Sequence, residues 1–290
     1  MANNIAVITD TGADMIDELV KLGVDYIPLY ITFDGTNYLK QMKDVSIEEF
    51  YDKLEHGETF PKTSLPSVMD IVDCYNKHLD EGKEVLYIAL NSKFSGTYQA
   101  AVSARDLVLE ERPDAKITVV DSLNCTYMQY ILSKRAYELS EEGKSVDEIL
   151  EVINKMIPTA KVFMTVDSLE NMHKSGRVSN LSSMLGGLLN IKPILQFEDG
   201  VLHPTSKVKG LNKAFRTVIE NMKEFIGDDV SDYAFAIVHG NHLEEAKEFG
   251  KDVIEEMKMD NLEYCNLGVC IGLHAGPTLT GIAAIKVKNL

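Results

Sequence analysis

The sequence predicts an α/β protein with two domains, a parallel sheet with flanking helices followed by an α+β domain. Three segments of the first half share one pattern, in which a short β-branched run is followed by small polar residues and then by apolar residues at helical spacing. Repeated strand-to-helix units are typical of parallel sheets. The second half instead carries a pair of apolar runs at 191–202 with Asp199-Gly200 between them, which predicts an antiparallel hairpin.

The predicted N-terminal domain covers residues 1–158. Its β-branched runs predict strands, Ser67 is suited to cap a helix, and Gly143 follows the last helical pattern. Two prolines at 61 and 66 predict a rigid, irregular loop. The predicted elements are strands at 5–8, 25–33, 84–90 and 117–120, with helices at 15–22, 46–54, 68–79, from 97 onward and at 127–139.

The predicted C-terminal domain covers residues 159–290, because a new strand begins shortly after Pro158. Apolar residues at helical spacing alternate with β-rich runs through this half, which is typical of an α+β arrangement. The predicted elements are strands at 161–166, 233–239 and 281–287, the strand pair at 191–202, and helices at 181–190, around 222–225 and at 243–257.

Composition excludes several function classes. The 45 acidic side chains against 29 basic ones give a formal charge of −16, which disfavours nucleic acids and anionic membranes as partners. The first residues lack a basic, apolar leader pattern and no window reaches 18 apolar residues, so we expect a cytoplasmic protein without stable membrane insertion. Four cysteines without C-x-x-C spacing predict buried thiols in a reducing compartment and no metal site.

Common catalytic motifs are also missing from the sequence. It contains no GxxxxGK[ST] loop, no GxGxxG after a strand and no GxSxG around Ser95, which argues against a P-loop kinase, a dinucleotide enzyme and a serine hydrolase. The spacing of His239 and His242 does not suit two zinc ligands on a helix. We therefore expect no cofactor.

Hydroxyl-rich turns are the candidate binding site. If Ser95, Gly96 and Thr97 open a helix, their amides and hydroxyls converge where the helix dipole favours an anion. The alternative is an ordinary helix cap. Thr63 and Ser64 lie in the proline-bounded loop, whose alternative interpretation is a stiff connector with solvated hydroxyls.

Seven motifs in register give the chain a resemblance to the DegV family over essentially its whole length. That resemblance implies a two-domain α/β protein that holds one long-chain fatty acid, such as palmitate or oleate, in a tunnel between the domains. It also implies no catalysis by the protein alone, since relatives present the acid to a separate ATP-using fatty acid kinase that makes an acyl phosphate. The motifs are Ile8-Thr9-Asp10-Thr11, Thr63-Ser64-Leu65-Pro66-Ser67, Ser92-Lys93-Phe94-Ser95-Gly96-Thr97-Tyr98-Gln99, Val120-Asp121-Ser122, Ser175-Gly176-Arg177-Val178-Ser179, Asn190-Ile191-Lys192-Pro193-Ile194 and His274-Ala275-Gly276-Pro277.

The resemblance also implies roles for individual residues. The carboxylate contacts fall on Thr63 and Ser95, Arg177 matches a residue implicated in phosphoryl transfer with the kinase, and His274 lies near the head group. A surface ion pair is the alternative for Arg177, and a loop cap for His274. The full predicted fatty-acid-binding set is Thr63, Ser64, Ser95, Gly96, Thr97 and His274.

The apolar run after Arg177 is the candidate lining for the acyl tail, although an ordinary core helix explains it as well. Its members are Leu181, Met184, Leu185, Leu188, Leu189 and Ile191, with Gly186 and Gly187 among them.

Four positions depart from the family pattern. Gly12 stands where a serine is usual, Leu65 where glutamine is common, Ser175 in place of a glycine, and Thr278 in place of the last glycine of Gly-Pro-Gly. Because threonine adopts positive φ only at a cost, we expect the His274 loop to differ from that of relatives.

Two rival functions stay open at the level of sequence. The Ser95 turn also suits a phosphate, which would fit a stand-alone phosphoryl- or acyl-transfer enzyme acting on a small anionic metabolite. A structural or regulatory module would bind no ligand.

Overall fold

The computed structural model describes residues 4–176 and 190–290. The chain forms two compact units, one made of Met1–Ser46 with Pro61–Ile157 and the other of Ile47–Phe60 with Pro158–Leu290. The domain boundary at 158 stays a prediction, and a single division point could not express that the segment 47–60 belongs with the second unit.

Thirteen strands and ten α-helices lie in the described parts of the chain. The strands are β1 (Ile5–Asp10), β2 (Asp25–Ile27), β3 (Tyr30–Thr32), β4 (Leu39–Lys40), β5 (Lys62–Ser64), β6 (Glu84–Ala89), β7 (Ile117–Asp121), β8 (Lys161–Thr165), β9 (Ile191–Glu198), β10 (Val201–Lys209), β11 (Tyr233–His239), β12 (Glu263–Asn266) and β13 (Thr280–Lys286). The helices are α1 (Ile16–Leu22), α2 (Ile47–His56), α3 (Val68–Asp80), α4 (Thr97–Glu111), α5 (Thr126–Glu141), α6 (Val146–Met156), α7 (Glu170–Ser175), α8 (Leu211–Ile226), α9 (Leu243–Met257) and α10 (Val269–Ala275).

A four-stranded parallel sheet, in the order β2-β1-β6-β7, organises the first unit and confirms the predicted sheet. Side chains of β1, β2 and β6 pack with those of α3 and α4 in one apolar cluster that includes Ile8, Ile71, Tyr75 and Tyr87. Helix α5 packs against β1 and β6. The sheet therefore carries helices as the repeated strand-to-helix pattern predicts.

The prediction of one strand at 25–33 is wrong. Pro28 separates β2, which joins the parallel sheet, from β3, which pairs with β4 and β5 in a small antiparallel sheet. Proline has no N–H and cannot continue a ladder, so the chain changes sheets there. The interpretation of 61–67 as an irregular loop is likewise wrong in part, because Lys62–Ser64 forms β5.

A six-stranded mixed sheet, in the order β10-β9-β8-β13-β11-β12, organises the second unit. The predicted hairpin is confirmed, since β9 and β10 pair antiparallel and Asp199 and Gly200 have φ of 50° and 73°. Two successive positive φ values are typical of a tight hairpin turn. Helices α8 and α9 pack with the sheet in one apolar cluster. The rings of Phe215 and Phe249 stack there with their centroids 4.3 Å apart.

Helix α2 packs within the second unit against α10. The Tyr51 hydroxyl donates to the Leu267 carbonyl at 3.0 Å, and a Cβ at Gly272 would lie 2.5 Å from the Tyr51 hydroxyl oxygen. Only glycine lets the two helices approach so closely. Helices α6, α7 and α10 were not predicted, and the predicted helix at 181–190 lies outside the described residues up to 189.

We expect Gly281→Ala to destabilise the second unit. The added Cβ would lie 2.5 Å from Met164 Cβ and 2.6 Å from the Phe163 carbonyl oxygen, and the backbone atom cannot rotate away. Overpacking of this kind costs about 2 kcal/mol in free energy of unfolding. Urea unfolding of the variant and the wild type measures the difference, and a loss smaller than about 0.5 kcal/mol would contradict the geometry.

Candidate functional site

The three polar turns of the first half meet at the carboxyl edge of the parallel sheet. The Leu90 amide, just after β6, donates at 2.8 Å to Oδ2 of Asp10, the last residue of β1. The Ser92 amide donates at 3.1 Å to Oδ1 of Asp121, the last residue of β7. The three turns therefore lie together at the edge where parallel sheets bind ligands.

The buried Asp10 carboxylate anchors this edge. Its Oδ2 accepts from Leu90 N and from the Tyr87 hydroxyl at 3.0 Å, and its Oδ1 accepts from Gly12 N at 2.9 Å and Gln129 Nε2 at 3.2 Å. Burial raises the pKa of Asp10, and these four donors oppose that rise. A Cβ at Gly12 would lie 2.8 Å from Oδ1, so glycine allows the backbone to approach the carboxylate closely here.

Helix α4 begins at Thr97, as the sequence predicts, with Gly96 as its cap residue. Ser95 Oγ accepts from Thr97 N at 3.3 Å and lies 2.8 Å from Thr97 Oγ1. Ser95 is half-buried and Gly96 is exposed. No acidic residue occupies the first turn of α4, so no side chain of that turn offsets the positive end of the helix dipole.

Asn91 shapes this turn and was not singled out as a site residue. It is fully buried, its carbonyl accepts from the amides of Phe94 and Ser95 at 3.1 and 3.2 Å, and its Oδ1 accepts from Lys93 N at 2.9 Å. Asparagine side chains commonly replace backbone partners in turns. A buried polar residue that ends an apolar strand was the available signal.

Thr63 and Ser64 lie on β5, and both are half-buried. They pair in register with Ile31 and Tyr30 of β3, which fixes their backbone. The following residue, Leu65, places Cδ2 3.2 Å from the position of a Cβ on Gly96. The structure therefore brings the Thr63 segment and the Ser95 turn side by side in the first unit.

A cluster of polar side chains around Asp70 fixes the first turn of α3, which follows the Thr63 segment in the chain. Ser67 caps the helix by accepting from Asp70 N at 3.1 Å, and its hydroxyl donates to Asp70 Oδ2 at 2.6 Å. The Tyr30 hydroxyl donates to the same oxygen at 2.5 Å and Lys40 Nζ to Oδ1 at 3.0 Å. Although burial raises the pKa of Asp70, the donors outweigh it and lower the pKa to about 2. The capping role of Ser67 is confirmed. Sequence analysis missed the role of Asp70, because its partners Tyr30 and Lys40 are distant from α3 in sequence.

His274 belongs to the second unit, in the last turn of α10. It is half-buried, with a buried Nδ1. Gly276 ends the helix with φ of 85°, and Thr278 has no positive φ. Instead the Thr278 hydroxyl accepts from Asp167 N at 3.0 Å. Threonine thus replaces the usual glycine without strain and adds a hydrogen bond to the loop.

The remaining candidates lie outside the described residues. These are Arg177 and the apolar run from Leu181 to Leu189, whereas Ile191 opens β9. Their predicted roles stay predictions. The last described residues before this gap end α7, where Gly176 has φ of 71° and donates to the His173 carbonyl.

Two further observations concern metals and membranes. Among the described residues, His239 is buried, its Nδ1 lies 2.8 Å from its neighbour's carbonyl, and burial lowers its pKa. None of the helices in 4–176 and 190–290 is both long and apolar enough to cross a bilayer.

Comparison with known proteins decides the family. Residues 4–287 match the family model described as "Uncharacterised protein, DegV family". The chain belongs to the DegV family. A DegV domain-containing protein from Caldanaerobacter subterraneus subsp. tengcongensis is 36% identical over 279 residues, which cover 96% of this chain and 97% of the relative.

Solved DegV structures share the fold over nearly the whole chain. A stearic-acid-binding protein from Eubacterium ventriosum has a TM-score of 0.90 at 28% identity, covering 97% of this chain and 98% of that one. A fatty-acid-binding DegV family protein from Streptococcus agalactiae has a TM-score of 0.84 at 30% identity, with 98% and 99% covered. The predicted family and fold class are confirmed.

We expect Asp70→Asn to destabilise the first unit in a pH-dependent way. The folded pKa of about 2 lies below the ordinary 3.8, so the stabilisation is present above about pH 4 and is lost as the pH falls through 2. After allowance for solvent screening, the loss near neutral pH is about 1 kcal/mol.

Urea unfolding at several pH values measures this effect. Asp73→Asn, an exposed position on the same helix, is the control. A deficit for Asp70→Asn that persisted at about pH 2 would contradict the assignment.

Proposed function

We propose that this DegV protein binds one long-chain fatty acid and presents its carboxylate to a separate ATP-dependent kinase. In this proposal Thr63 and Ser95 donate to the carboxylate, together with the amides of Gly96 and Thr97. Ser64 and His274 complete the predicted binding set. The observation that carries the proposal is the open first turn of α4 beside the Thr63 segment.

The chemistry of the turn suits a carboxylate. Ser95 Oγ accepts from Thr97 N, and when the Thr97 hydroxyl also donates to it, the Ser95 proton is available to an anion and Ser95 is a stronger donor. The first amides of a helix point at the same location, and no carboxylate in that turn competes with a ligand. Such a site orients the head group of the fatty acid.

Most of the affinity must come from the acyl tail. Burying a methylene contributes about 0.8 kcal/mol, so a sixteen-carbon chain offers roughly 11 kcal/mol before ordering costs. The DegV relatives named for stearic-acid and fatty-acid binding support a long tail rather than a short anion. The run 181–191 is the proposed lining.

The proposed chemistry belongs to the kinase. A carboxylate oxygen attacks the γ-phosphorus of ATP, the bond to the β-phosphate oxygen breaks, and acyl phosphate and ADP result. Arg177 would offset the negative charge that accumulates on the transferred phosphoryl group. The DegV protein itself is then a binding protein without turnover. Because the kinase uses ATP, the proposal assigns both proteins to the cytoplasm.

Mass spectrometry of the organic extract of the denatured, purified protein tests the ligand class. We expect a near-stoichiometric long-chain fatty acid, because the tail supplies most of the affinity. Absence of lipid together with no uptake of added palmitate or oleate would overturn the proposal. Binding and turnover of a short phosphorylated anion would favour the stand-alone enzyme instead.

We expect the double variant Ser95→Ala, Thr63→Ala to bind fatty acid about tenfold or more weakly, since each hydrogen bond to a charged group contributes about 1.5 kcal/mol or more. Displacement of a fluorescent fatty acid measures the affinity. Ser92→Ala is the matched control, because Ser92 is exposed in the same turn and its bond to Asp121 uses the backbone amide. Equal affinities for all three proteins would remove the two hydroxyls from the head-group site.

We expect Arg177→Ala to bind fatty acid normally and to slow its phosphorylation by a fatty acid kinase about 100-fold, because transition-state charge would lose its partner. Transfer of labelled γ-phosphate from ATP to the bound acid measures the rate. Arg135→Ala, which breaks surface ion pairs with Glu138 and Glu142, is the control. An unchanged rate for Arg177→Ala would exclude this role.

A further inference from the structure

Three side chains with metal-binding atoms meet in the first unit, away from the proposed fatty-acid site. Asp25 opens β2, and Cys74 and His78 lie on α3. One carboxylate oxygen, the thiol sulfur and one imidazole nitrogen lie within 4.8 Å of one another. Because positions four apart share one face of a helix, α3 presents two of these groups together.

The imidazole is the most constrained of the three. His78 is only 7% exposed, and its Nε2 lies 2.9 Å from Asp25 Oδ2. Its Nδ1 is buried without a hydrogen-bond partner, and the nearest carboxylate, that of Glu81, lies 4.0 Å away. The ring nitrogen that faces Asp25 is therefore Nε2, and this is the atom that His78 offers to a ligand beside the carboxylate.

The other two groups have complementary properties. Burial raises the pKa of the half-buried Asp25, but hydrogen bonds from His78 and Lys77 hold it below its ordinary value, so the carboxylate is ionised. Cys74 is a free, half-buried thiol, and burial together with the Asp25 charge raises its pKa to about 12. A metal ion would replace the thiol proton, as it does whenever cysteine ligates.

We propose that Asp25, Cys74 and His78 form a binding site for a zinc-type divalent ion. Carboxylate oxygen, thiolate and imidazole are the donor set that Zn²⁺ takes in proteins, with bond lengths of about 2.0–2.3 Å. At tetrahedral angles such bonds place the ligand atoms about 3.3–3.6 Å apart. Spacings of 2.9 Å to at most 4.8 Å approach this geometry, so small side-chain rotations complete it.

Lys77 competes with the ion for Asp25. Its ammonium donates to Oδ2 at 2.7 Å, the oxygen that faces His78, while Oδ1 accepts from Tyr26 N at 2.8 Å. The Lys77 side chain is 59% exposed, so it can swing into water when a cation arrives. Its charge weakens the site without blocking it, and removing that charge strengthens the site.

The ion would join β2 to the C-terminal half of α3. It would bind only where both elements are folded, and therefore it would stabilise the first unit. This site does not depend on the proposed fatty-acid function. Sequence analysis predicted no metal site, because Asp25 lies far from Cys74 and His78 in sequence and Cys-x-x-x-His differs from the C-x-x-C spacing.

Titration of the metal-free full-length protein with Co²⁺ tests the site, because a thiolate ligand gives a charge-transfer band in the near ultraviolet. We expect the band to saturate at one Co²⁺ per chain and to vanish when Zn²⁺ is added. Cys74→Ala should abolish it, and Cys125→Ala, which removes a buried thiol elsewhere in the same unit, should leave it intact.

The variant Lys77→Gln distinguishes a specific site formed by the three ligands from nonspecific metal binding. It keeps all three ligands and should raise the affinity for Co²⁺ and Zn²⁺ by about tenfold, since a neighbouring positive charge is lost. Zn²⁺ should also raise the melting temperature of the wild type but not of Cys74→Ala. No thiolate band, a band that survives Cys74→Ala, or no gain of affinity in Lys77→Gln would overturn the proposal.

Discussion

The carboxyl edge of the first unit depends on one buried side chain, that of Asp10. Asp10 is fully buried, and each of its oxygens accepts two hydrogen bonds, from donors that follow β1, lie on or after β6, or project from α5. Loss of the carboxylate would take this acceptor from the amides of Gly12 and Leu90 and from the Tyr87 hydroxyl, at about 1–3 kcal/mol for each that water cannot reach. Gln129 Nε2 would keep Thr9 Oγ1 and the Ile88 carbonyl as acceptors. The turns after β1 and β6 therefore cannot move independently.

Other hydrogen bonds fix the two segments that carry the candidate hydroxyls in a defined geometry. The backbone of the Ser95 turn is held by Asn91, and the Thr63 segment is held by β3 pairing and by Asp70. Both sets of contacts fix the backbone of the candidate binding segments.

The sequence was informative where physical signals are local. Short β-branched runs followed by apolar residues at helical spacing predicted the parallel sheet, and Asp199-Gly200 predicted the hairpin between β9 and β10. Local patterns did not predict features that depend on distant partners. They did not show that the chain changes sheets at Pro28, or that Asp70 accepts hydrogen bonds from Tyr30 of β3 and from Lys40. The hydroxyls of the candidate site were visible, whereas the residues that orient them were not, because a single sequence does not show which distant residues meet.

Leu65 has a consequence for selectivity. It lies against Gly96 and is 41% exposed. A leucine donates no hydrogen bond, so it offers nothing to the extra oxygens of a phosphate, but it presents apolar surface to a methylene group. A fatty acid would place its carboxylate at the Ser95 turn and its methylene groups against Leu65. A free inorganic anion would place charge against the leucine. On the proposed function, Leu65 would thus favour an amphiphile over a small anion at this turn.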